Sequence, residues 1–216
     1  MQLRLKFGLA CATALLVSGW VHAQTANPYA RPTPSSTSAM QGKGMKMDDL
    51  KSFATDGARV LEYKSGALAG EGSQGVILVL DPPRTGHEKL GEGPSRNVLL
   101  LMRDGSGQLR KVASNGRIVP CSTCGGVSGD PFGYTRIIAP GQFLIATGGG
   151  SRERWSDEYT FTWSASRRGW LVTRVVRQVT DSETGKEKQI DLTAKDLGET
   201  SFQDFDPSSI PEVTLP

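Results

Sequence analysis

The residues of this chain that could do chemistry are concentrated between Cys121 and Trp155. This segment begins with CSTCGGVSGDPF and ends with GGGSRERW. Two cysteines at this spacing can form a disulfide, act as a redox pair or join a metal site, while the Arg-Glu-Arg-Trp run combines charge with an aromatic ring. Neither end contains a complete catalytic constellation, so the segment is more typical of binding than of catalysis.

We predict that Cys121 and Cys124 form a structural disulfide, because the N-terminal residues described below predict export and an exported chain folds in an oxidising compartment. A thioredoxin-like redox pair is less favoured, since it needs a helix directly after the cysteines to stabilise the thiolate. Here Gly125 and Gly126 follow, and they do not begin a helix. A zinc site would require further ligands. We therefore predict no bound metal and no other cofactor.

A structural turn is predicted after the cysteines, formed by Gly129, Asp130, Pro131 and Phe132. A residue before proline is held extended, and the Asp130 carboxylate can accept hydrogen bonds from nearby loop amides. Such a turn would direct Phe132 into the core. The alternative is a role for Asp130 as a calcium ligand, although the chain lacks the EF-hand pattern of spaced Asp and Asn residues.

The glycine-rich end of the segment permits two hypotheses, since consecutive glycines allow positive φ angles and close approach of another backbone. In the first, a bulged strand lets both arginines pair with nearby acids while the tryptophan covers the sheet edge. In the second, the segment is a recognition loop, because Arg and Trp dominate binding hot spots and an arginine pairs readily with a partner's carboxylate. The predicted partner-binding residues are Gly149, Gly150, Ser151, Arg152, Arg154 and Trp155.

Few residues suit familiar hydrolase chemistry. Outside the N-terminal 23 residues His87 is the single histidine, and it lies in a polar loop where a solvated role is expected. A Ser-His-Asp or Cys-His arrangement would depend on it. Asp130 and Glu153 could form a two-carboxylate glycosidase, although any pair of acids could be nominated in this way. We predict that the protein is not an enzyme.

The N-terminus predicts export to the periplasm. Arg4 and Lys6 precede an apolar run at 7–20, and small residues end at Ala23, where a signal peptidase would cut. The run is too short to span a bilayer. We predict a signal peptide at 1–23, no transmembrane segment after its removal, and a flexible Pro/Ser/Thr-rich leader at 24–46.

The charge of the chain argues against a nucleic-acid partner. The chain has 25 Lys and Arg against 22 Asp and Glu. Two of the basic residues, Arg4 and Lys6, belong to the predicted signal peptide, which leaves 23 against 22 in the mature chain. Basic residues form no dense run and aromatic residues are sparse, so an electrostatic strip for phosphates is not expected.

Apolar periodicity predicts one all-β domain at 47–205, an antiparallel β-sandwich or curved sheet with one short N-terminal helix at 47–54. Tyr159, Phe161 and Trp163 alternate with threonines, which places the three rings on one sheet face. Residues 206–216 are predicted to form an extended tail. The longer segment from Ser201 to Pro216 is either disordered or docked along a sheet edge. The predicted strands are 59–63, 75–80, 97–103, 108–113, 135–139, 142–147, 158–164, 170–178 and 188–192.

Several motifs resemble a group of exported bacterial envelope proteins. They are CxxCGGxxGDPF at 121–132, GxFxI at 141–145, GGSxxRW ending at Trp155, and the TFxW and WxV strands that follow. The group includes periplasmic immunity proteins against lysozyme-like toxins, whose β fold is similar to periplasmic lysozyme inhibitors. The chain departs from the group at three places. Residues 68–74 read LAGEGSQ, where members of the group often carry an Asp/Asn-rich segment that resembles a calcium loop. Thr147 replaces the usual aromatic residue, and Gly150 adds a third glycine.

This resemblance implies a periplasmic inhibitor or immunity protein. Its partner would be a peptidoglycan hydrolase whose catalytic carboxylates are covered by the loop, with Arg152 or Arg154 as the ionic anchor and Trp155 as apolar support. One alternative is an envelope structural or accessory protein in which the glycine-rich block only shapes the fold. The other is a carboxylate-based glycan hydrolase.

Overall fold

A computed structural model of the protein describes residues 47–216. The predicted signal peptide and leader lie outside the described residues. Short 3₁₀ turns occur at Gly126–Ser128 and Pro207–Ser209. The helices and strands are α1 (Met47–Lys51), β1 (Arg59–Gly66), β2 (Gly75–Asp81), β3 (Arg96–Arg103), β4 (Leu109–Val119), β5 (Phe132–Ala139), β6 (Gln142–Gly150), β7 (Glu153–Ser164), β8 (Gly169–Asp181), β9 (Glu187–Thr193) and α2 (Ala194–Leu197).

The strands form two antiparallel sheets in which each strand pairs with its neighbour in sequence. The first sheet has the order β1-β2-β3-β4 and the second the order β5-β6-β7-β8-β9. Buried side chains of both sheets form one apolar core, to which β2 and β3 contribute Ile77 and Leu100, and β6 and β7 contribute Ile145 and Phe161. The predicted all-β class, with its antiparallel sandwich, is confirmed.

The first sheet is also covered on its outer face. Leu50 of α1 is fully buried and packs in a second apolar cluster with Val76, Leu78 and Leu101 of β2 and β3. Strand β2 is therefore buried on both faces, which explains why its sequence GVILVLD is almost continuously apolar.

Aromatic residues of the second sheet face the core as their alternation predicts. In the register of β6 with β7, Ile145 lies opposite Tyr159 and Phe143 opposite Phe161. The rings of Phe143 and Phe161 stack with centroids 5.2 Å apart. Tyr159 and Phe161 are buried, while Trp163 packs against the core from a partly buried position. One face of β7 therefore supplies much of the aromatic core.

All nine predicted strands are present, but several are longer than predicted. Strand β7 begins at Glu153 rather than at 158, and β4 continues to Val119 rather than ending at 113. The apolar pattern fades at these ends, yet backbone pairing with neighbouring strands continues. Helix α1 ends at Lys51, three residues before the predicted end. Helix α2 was not predicted, although Thr193 and Asp196 form a capping box at its start.

The C-terminal segment is part of the folded domain. Phe202, Phe205 and Ile210 belong to the main core, and Val213 is also buried. The side-chain amide of Asn115 in β4 donates to the carbonyls of Phe202 and Phe205, at 2.6 and 2.8 Å. Of the two states left open for the tail, the structure shows the docked one. The segment contacts both sheets rather than the edge of one sheet.

Candidate functional site

Cys121 and Cys124 form a disulfide, so the first half of the chemistry-rich segment is a closed loop. The loop continues through the 3₁₀ turn at Gly126–Ser128 rather than through an α-helix. Residues of the long β2–β3 connection pack beside it, since Gly91 N–H donates to the Thr123 carbonyl at 2.9 Å. The disulfide thus holds together a compact loop at one end of the sandwich.

The glycines of β6 pack directly on the backbone of this loop. A Cβ atom at Gly149 would lie 2.7 Å from the Gly125 carbonyl oxygen and 2.8 Å from its Cα, so a larger residue does not fit. Gly150 N–H donates to Gly125 O, and Gly148 N–H donates to Pro131 O, both at 2.8 Å. Gly150 also has a φ of +109°, which favours glycine. The glycine run is therefore required by contact between two backbones.

Ser151 and Arg152 form the two-residue turn between β6 and β7. The Arg152 guanidinium lies 2.9 Å from an Asp181 carboxylate oxygen and 3.2 Å from a Glu183 oxygen, with 56% of the side chain exposed. This guanidinium and the amides of the β8–β9 turn hold the pKa of Asp181 below its usual range. The turn therefore presents a cation whose position is defined by two acids.

Arg154 and Trp155 lie on opposite faces of β7, because consecutive strand residues alternate. Trp155 shares its face with Asp157 and Tyr159 and lines a groove. Arg154 is on the other face, where its Nε is buried without a hydrogen-bond partner. Within the described residues Arg154 forms no ion pair. The six predicted partner-binding residues therefore do not form one surface, and only Ser151 and Arg152 occupy the exposed tip.

Asp130 binds a buried arginine that the sequence analysis missed. Two nitrogens of Arg96 donate to the two Asp130 oxygens at 2.6 and 2.7 Å, and the third donates to Asp81 at 2.8 Å. Asp81 also accepts two hydrogen bonds from Arg59. Phe132 N–H donates to Asp130 Oδ1 at 2.9 Å, and Phe132 is buried. The turn therefore ties the cysteine loop to β2 and β3.

The contacts of Asp130 give it a structural role. Both Asp130 oxygens accept hydrogen bonds from Arg96. Glu153 is an exposed residue at the start of β7, and His87 is exposed in the β2–β3 connection. Among the described residues, no group of three or more His, Cys, Asp or Glu side chains could hold a metal ion.

A groove of about 570 Å³ lies between the second sheet and the C-terminal segment, and we call it the C-terminal groove. Arg177 on its floor donates two hydrogen bonds to Asp157, at 2.8 and 2.9 Å. The Tyr159 hydroxyl donates to Asp157 at 2.6 Å, and Arg177 also donates to the Ile210 carbonyl at 2.9 Å. Burial and the neighbouring Asp157 charge raise the pKa of Tyr159.

The sequence carries a signal for the ion pair on the floor of this groove. Asp157 stands two residues before Tyr159, on the inward positions of β7, and Arg177 stands at an inward position of β8. An acid and an arginine at positions that face a core usually pair with each other. No sequence pattern predicts that the C-terminal segment covers this groove, because its position depends on how the chain folds back onto the sheet.

Comparisons of the chain with protein-family models, with curated proteins and with solved structures give no match. The helices in the described part of the chain are all too short or too polar to cross a membrane.

Proposed function

We propose that the mature protein is a periplasmic inhibitor or immunity protein that blocks a peptidoglycan hydrolase, and that it is not itself an enzyme. The observation that carries the proposal is the exposed, rigidly supported Arg152 turn. The motif resemblance supports this class of partner, and the predicted signal peptide at 1–23 supports this compartment. The partner site would be the catalytic cleft of a lysozyme-like enzyme, where carboxylates are available to pair with a guanidinium.

The Arg152 turn is suited to binding because it is ordered before a partner arrives. The glycines of β6 are fixed on the disulfide loop, and Asp181 and Glu183 fix the guanidinium. Pre-ordering lowers the entropy that binding would otherwise cost. Because 56% of the arginine side chain is exposed, a partner's carboxylate can reach its remaining N–H groups while the pairs with Asp181 and Glu183 stay in place.

An exposed apolar residue accompanies the arginine. Val127 in the 3₁₀ turn is 80% exposed. Its neighbour Ser128 donates a hydrogen bond to the Gly150 carbonyl at 3.0 Å, so the valine is held beside the Arg152 turn. The disulfide loop thus adds an exposed apolar side chain near an arginine, and arginine is among the residue types enriched in binding hot spots. In this proposal Val127 takes the role of apolar support that the sequence analysis assigned to Trp155.

Inhibition of a panel of lysozyme-like hydrolases, including any encoded beside this gene, would test the proposal. Hydrolase activity is measured as clearing of a peptidoglycan suspension with and without the purified protein. We expect inhibition by the wild type and at least about tenfold weaker inhibition by Arg152→Ala, because arginine hot spots contribute roughly 2 kcal/mol or more.

Arg167→Ala is the matched control for this experiment. Arg167 is also an exposed arginine in an ion pair, but it lies beyond the other end of β7, away from the proposed surface. Inhibition should be unchanged in this variant. If no hydrolase is bound or inhibited, or if Arg152→Ala inhibits as well as the wild type, the accessory envelope role becomes the better explanation. Release of fragments from peptidoglycan by the protein alone would favour the hydrolase alternative.

A further inference from the structure

A small pocket lies where the two sheets and the C-terminal segment meet, and we call it the tryptophan pocket. Its volume is about 170 Å³. Trp170 and Phe202 are buried and form its floor, and Trp163 packs edge-on against Trp170 with ring centroids 4.7 Å apart. The proposed inhibition does not use this pocket, because Arg168 on its rim follows β7, whereas the Arg152 turn precedes β7.

The first sheet supplies an exposed apolar wall of this pocket. Val112 is the extra residue of a bulge in β4, since Ala113 pairs with Leu100 while Lys111 pairs with Leu101. A bulge changes the direction of the side chain at its position. Val112 lines the pocket and is 46% exposed. The pocket therefore offers apolar surface that a group arriving from solvent can reach.

The polar groups of the pocket that remain open to a ligand are donors. Arg168 is the one charged residue among the described residues that line the pocket, and it is exposed without a hydrogen bond or ion pair to the described part of the chain. The Trp163 indole N–H also has no partner there, and it is accessible to solvent. The Trp170 N–H, in contrast, donates to the Leu68 carbonyl at 2.7 Å. A cation and a free N–H favour an anionic acceptor such as a carboxylate.

The size of the pocket limits the group that it can hold. Sites for whole small molecules usually have about 300 Å³ or more. The tryptophan pocket is smaller, so it is suited to one side chain of a larger ligand. An Asp or Glu side chain has a carboxylate but no large apolar group. The last residue of a peptide chain combines both, because its apolar side chain and its terminal carboxylate are attached to the same Cα atom.

We propose that the tryptophan pocket binds the C-terminal residue of a peptide chain that ends in a large apolar side chain, such as phenylalanine. The side chain would lie against Val112 and the two tryptophans, where an aromatic ring gains edge-to-face contacts. The terminal carboxylate would accept hydrogen bonds from Arg168 and Trp163. Capture of a terminal carboxylate is one of the recurring ways in which proteins bind peptides.

Four tripeptides test the proposal by isothermal titration calorimetry on the purified protein. The first is acetyl-Ala-Ala-Phe with a free carboxylate, and the others are its C-terminal amide, acetyl-Ala-Ala-Ala and acetyl-Ala-Phe-Ala. We expect millimolar or tighter binding of the first, and at least about fivefold weaker binding of the others, because each lacks the charge, the ring or their position on one residue. Equal binding of the acid and the amide, or no binding of the first peptide at millimolar concentration, would overturn the proposal.

Arg168→Asn tests the cation on the rim. Arg168 has a φ of +50°, a conformation that asparagine tolerates, so the variant keeps the hairpin. It should bind the first peptide at least about fivefold more weakly and lose the preference for the acid over the amide. Arg136→Gln is the matched control, because Arg136 is another exposed arginine of the described domain without an ion pair, and it lies on β5 outside the pocket. A preference for the acid that survives in Arg168→Asn would overturn the role of Arg168.

Val112→Ser tests the apolar wall and places the ligand in this pocket. It should weaken binding of the first peptide about threefold or more, because the ligand side chain loses apolar contact. Ile138→Ser is the control, since Ile138 is 41% exposed on β5 and does not line the pocket. Circular dichroism and thermal unfolding confirm that each variant is folded. An unchanged affinity in folded Val112→Ser would overturn the assignment to this pocket. These titrations contain no hydrolase, so their failure would leave the inhibition proposal intact, and loss of inhibition would not affect this one.

Discussion

Arg96 is the largest fully buried side chain of the described domain. A guanidinium without solvent is tolerated only when its donors are paired, and Asp130 and Asp81 provide these pairs. Asp81 and Asp130 stand 15 and 34 positions away in sequence. The sequence predicts a turn in which the Asp130 carboxylate accepts hydrogen bonds from amides of its own loop. It could not identify Arg96, because this pairing depends on the stacking of strands and not on spacing.

Asp130→Ala should lower the free energy of unfolding by roughly 2–3 kcal/mol, because two donors of buried Arg96 lose their acceptor. Urea unfolding followed by circular dichroism measures the change. Asp191→Ala is the control, since Asp191 forms a comparable bidentate pair with Arg174 on the surface. Its loss should cost less than about 1 kcal/mol. Equal effects of the two substitutions would contradict the structural role of Asp130.

The same network predicts a dependence of stability on pH. Burial alone would raise the pKa of Asp81, but hydrogen bonds from Arg96 and Arg59 outweigh burial, so its pKa lies below the usual value. A carboxyl with a depressed folded-state pKa stabilises the fold above its unfolded pKa, about 3.9. This contribution is lost as pH falls through the lower folded-state value.

We therefore expect the stability difference between wild type and Asp81→Asn to be constant above about pH 5 and to shrink as pH falls below about 4. Urea unfolding at several pH values measures this difference. Carbon-13 NMR of the Asp81 carboxyl gives a direct check, in which the titration midpoint should fall below the ordinary aspartate value. A midpoint at or above that value would show that burial outweighs the arginines.

At the scale of elements, the contact between β6 and the disulfide loop sets the local structure. Gly149→Ala places a methyl group where Gly125 backbone atoms already lie, so we expect a loss of roughly 2–3 kcal/mol in the free energy of unfolding. Gly116→Ala in β4 is the matched control, because no heavy atom lies within 4 Å of the added methyl. That variant should stay within about 0.5 kcal/mol of wild type. A tolerated alanine at Gly149 would mean that the loop can move away.

The strands show which elements a sequence can predict. Alternation placed Tyr159, Phe161 and Trp163 on one face, because burial on one side of a strand has a period of two. The same reasoning placed the start of β7 at 158 rather than at Glu153, since glycines and charged residues obscure the alternation at 148–155. Strand pairing nevertheless continues to the hairpin tip, where Gly150 lies opposite Arg154. The glycine has no side chain and so leaves room for the disulfide loop. The predicted recognition loop is a tight hairpin with a two-residue tip.

At the scale of the whole molecule, the C-terminal segment links the two sheets. Its aromatic residues enter the core between them, and Asn115 and Arg177 bind its carbonyls from opposite sheets. Spaced apolar residues at 202, 205 and 210 were visible in sequence, but their docking site was not. Whether such a segment folds back depends on contacts that are about 90 residues distant, as for Asn115 and Phe205.

Removal of residues 207–216 should therefore destabilise the whole domain and not only fray its end. The deletion exposes core surface that Ile210 and Val213 cover, and it removes the carbonyl partners of partly buried Arg177. Together these losses amount to roughly 4–6 kcal/mol, a large part of the stability of an ordinary domain. Urea unfolding of the truncated protein should show a lower midpoint, or no folded baseline at all.

Two point variants keep this prediction testable if the truncated protein does not fold. Ile210→Ala should lower the free energy of unfolding by about 2–4 kcal/mol, because it leaves a cavity in the main core. Leu90→Ala removes a similar aliphatic side chain that is 65% exposed, and it should change stability by less than about 0.5 kcal/mol. If Ile210→Ala were as mild as Leu90→Ala, the segment would be a surface tail, and the groove that it covers would lose one of its walls in solution.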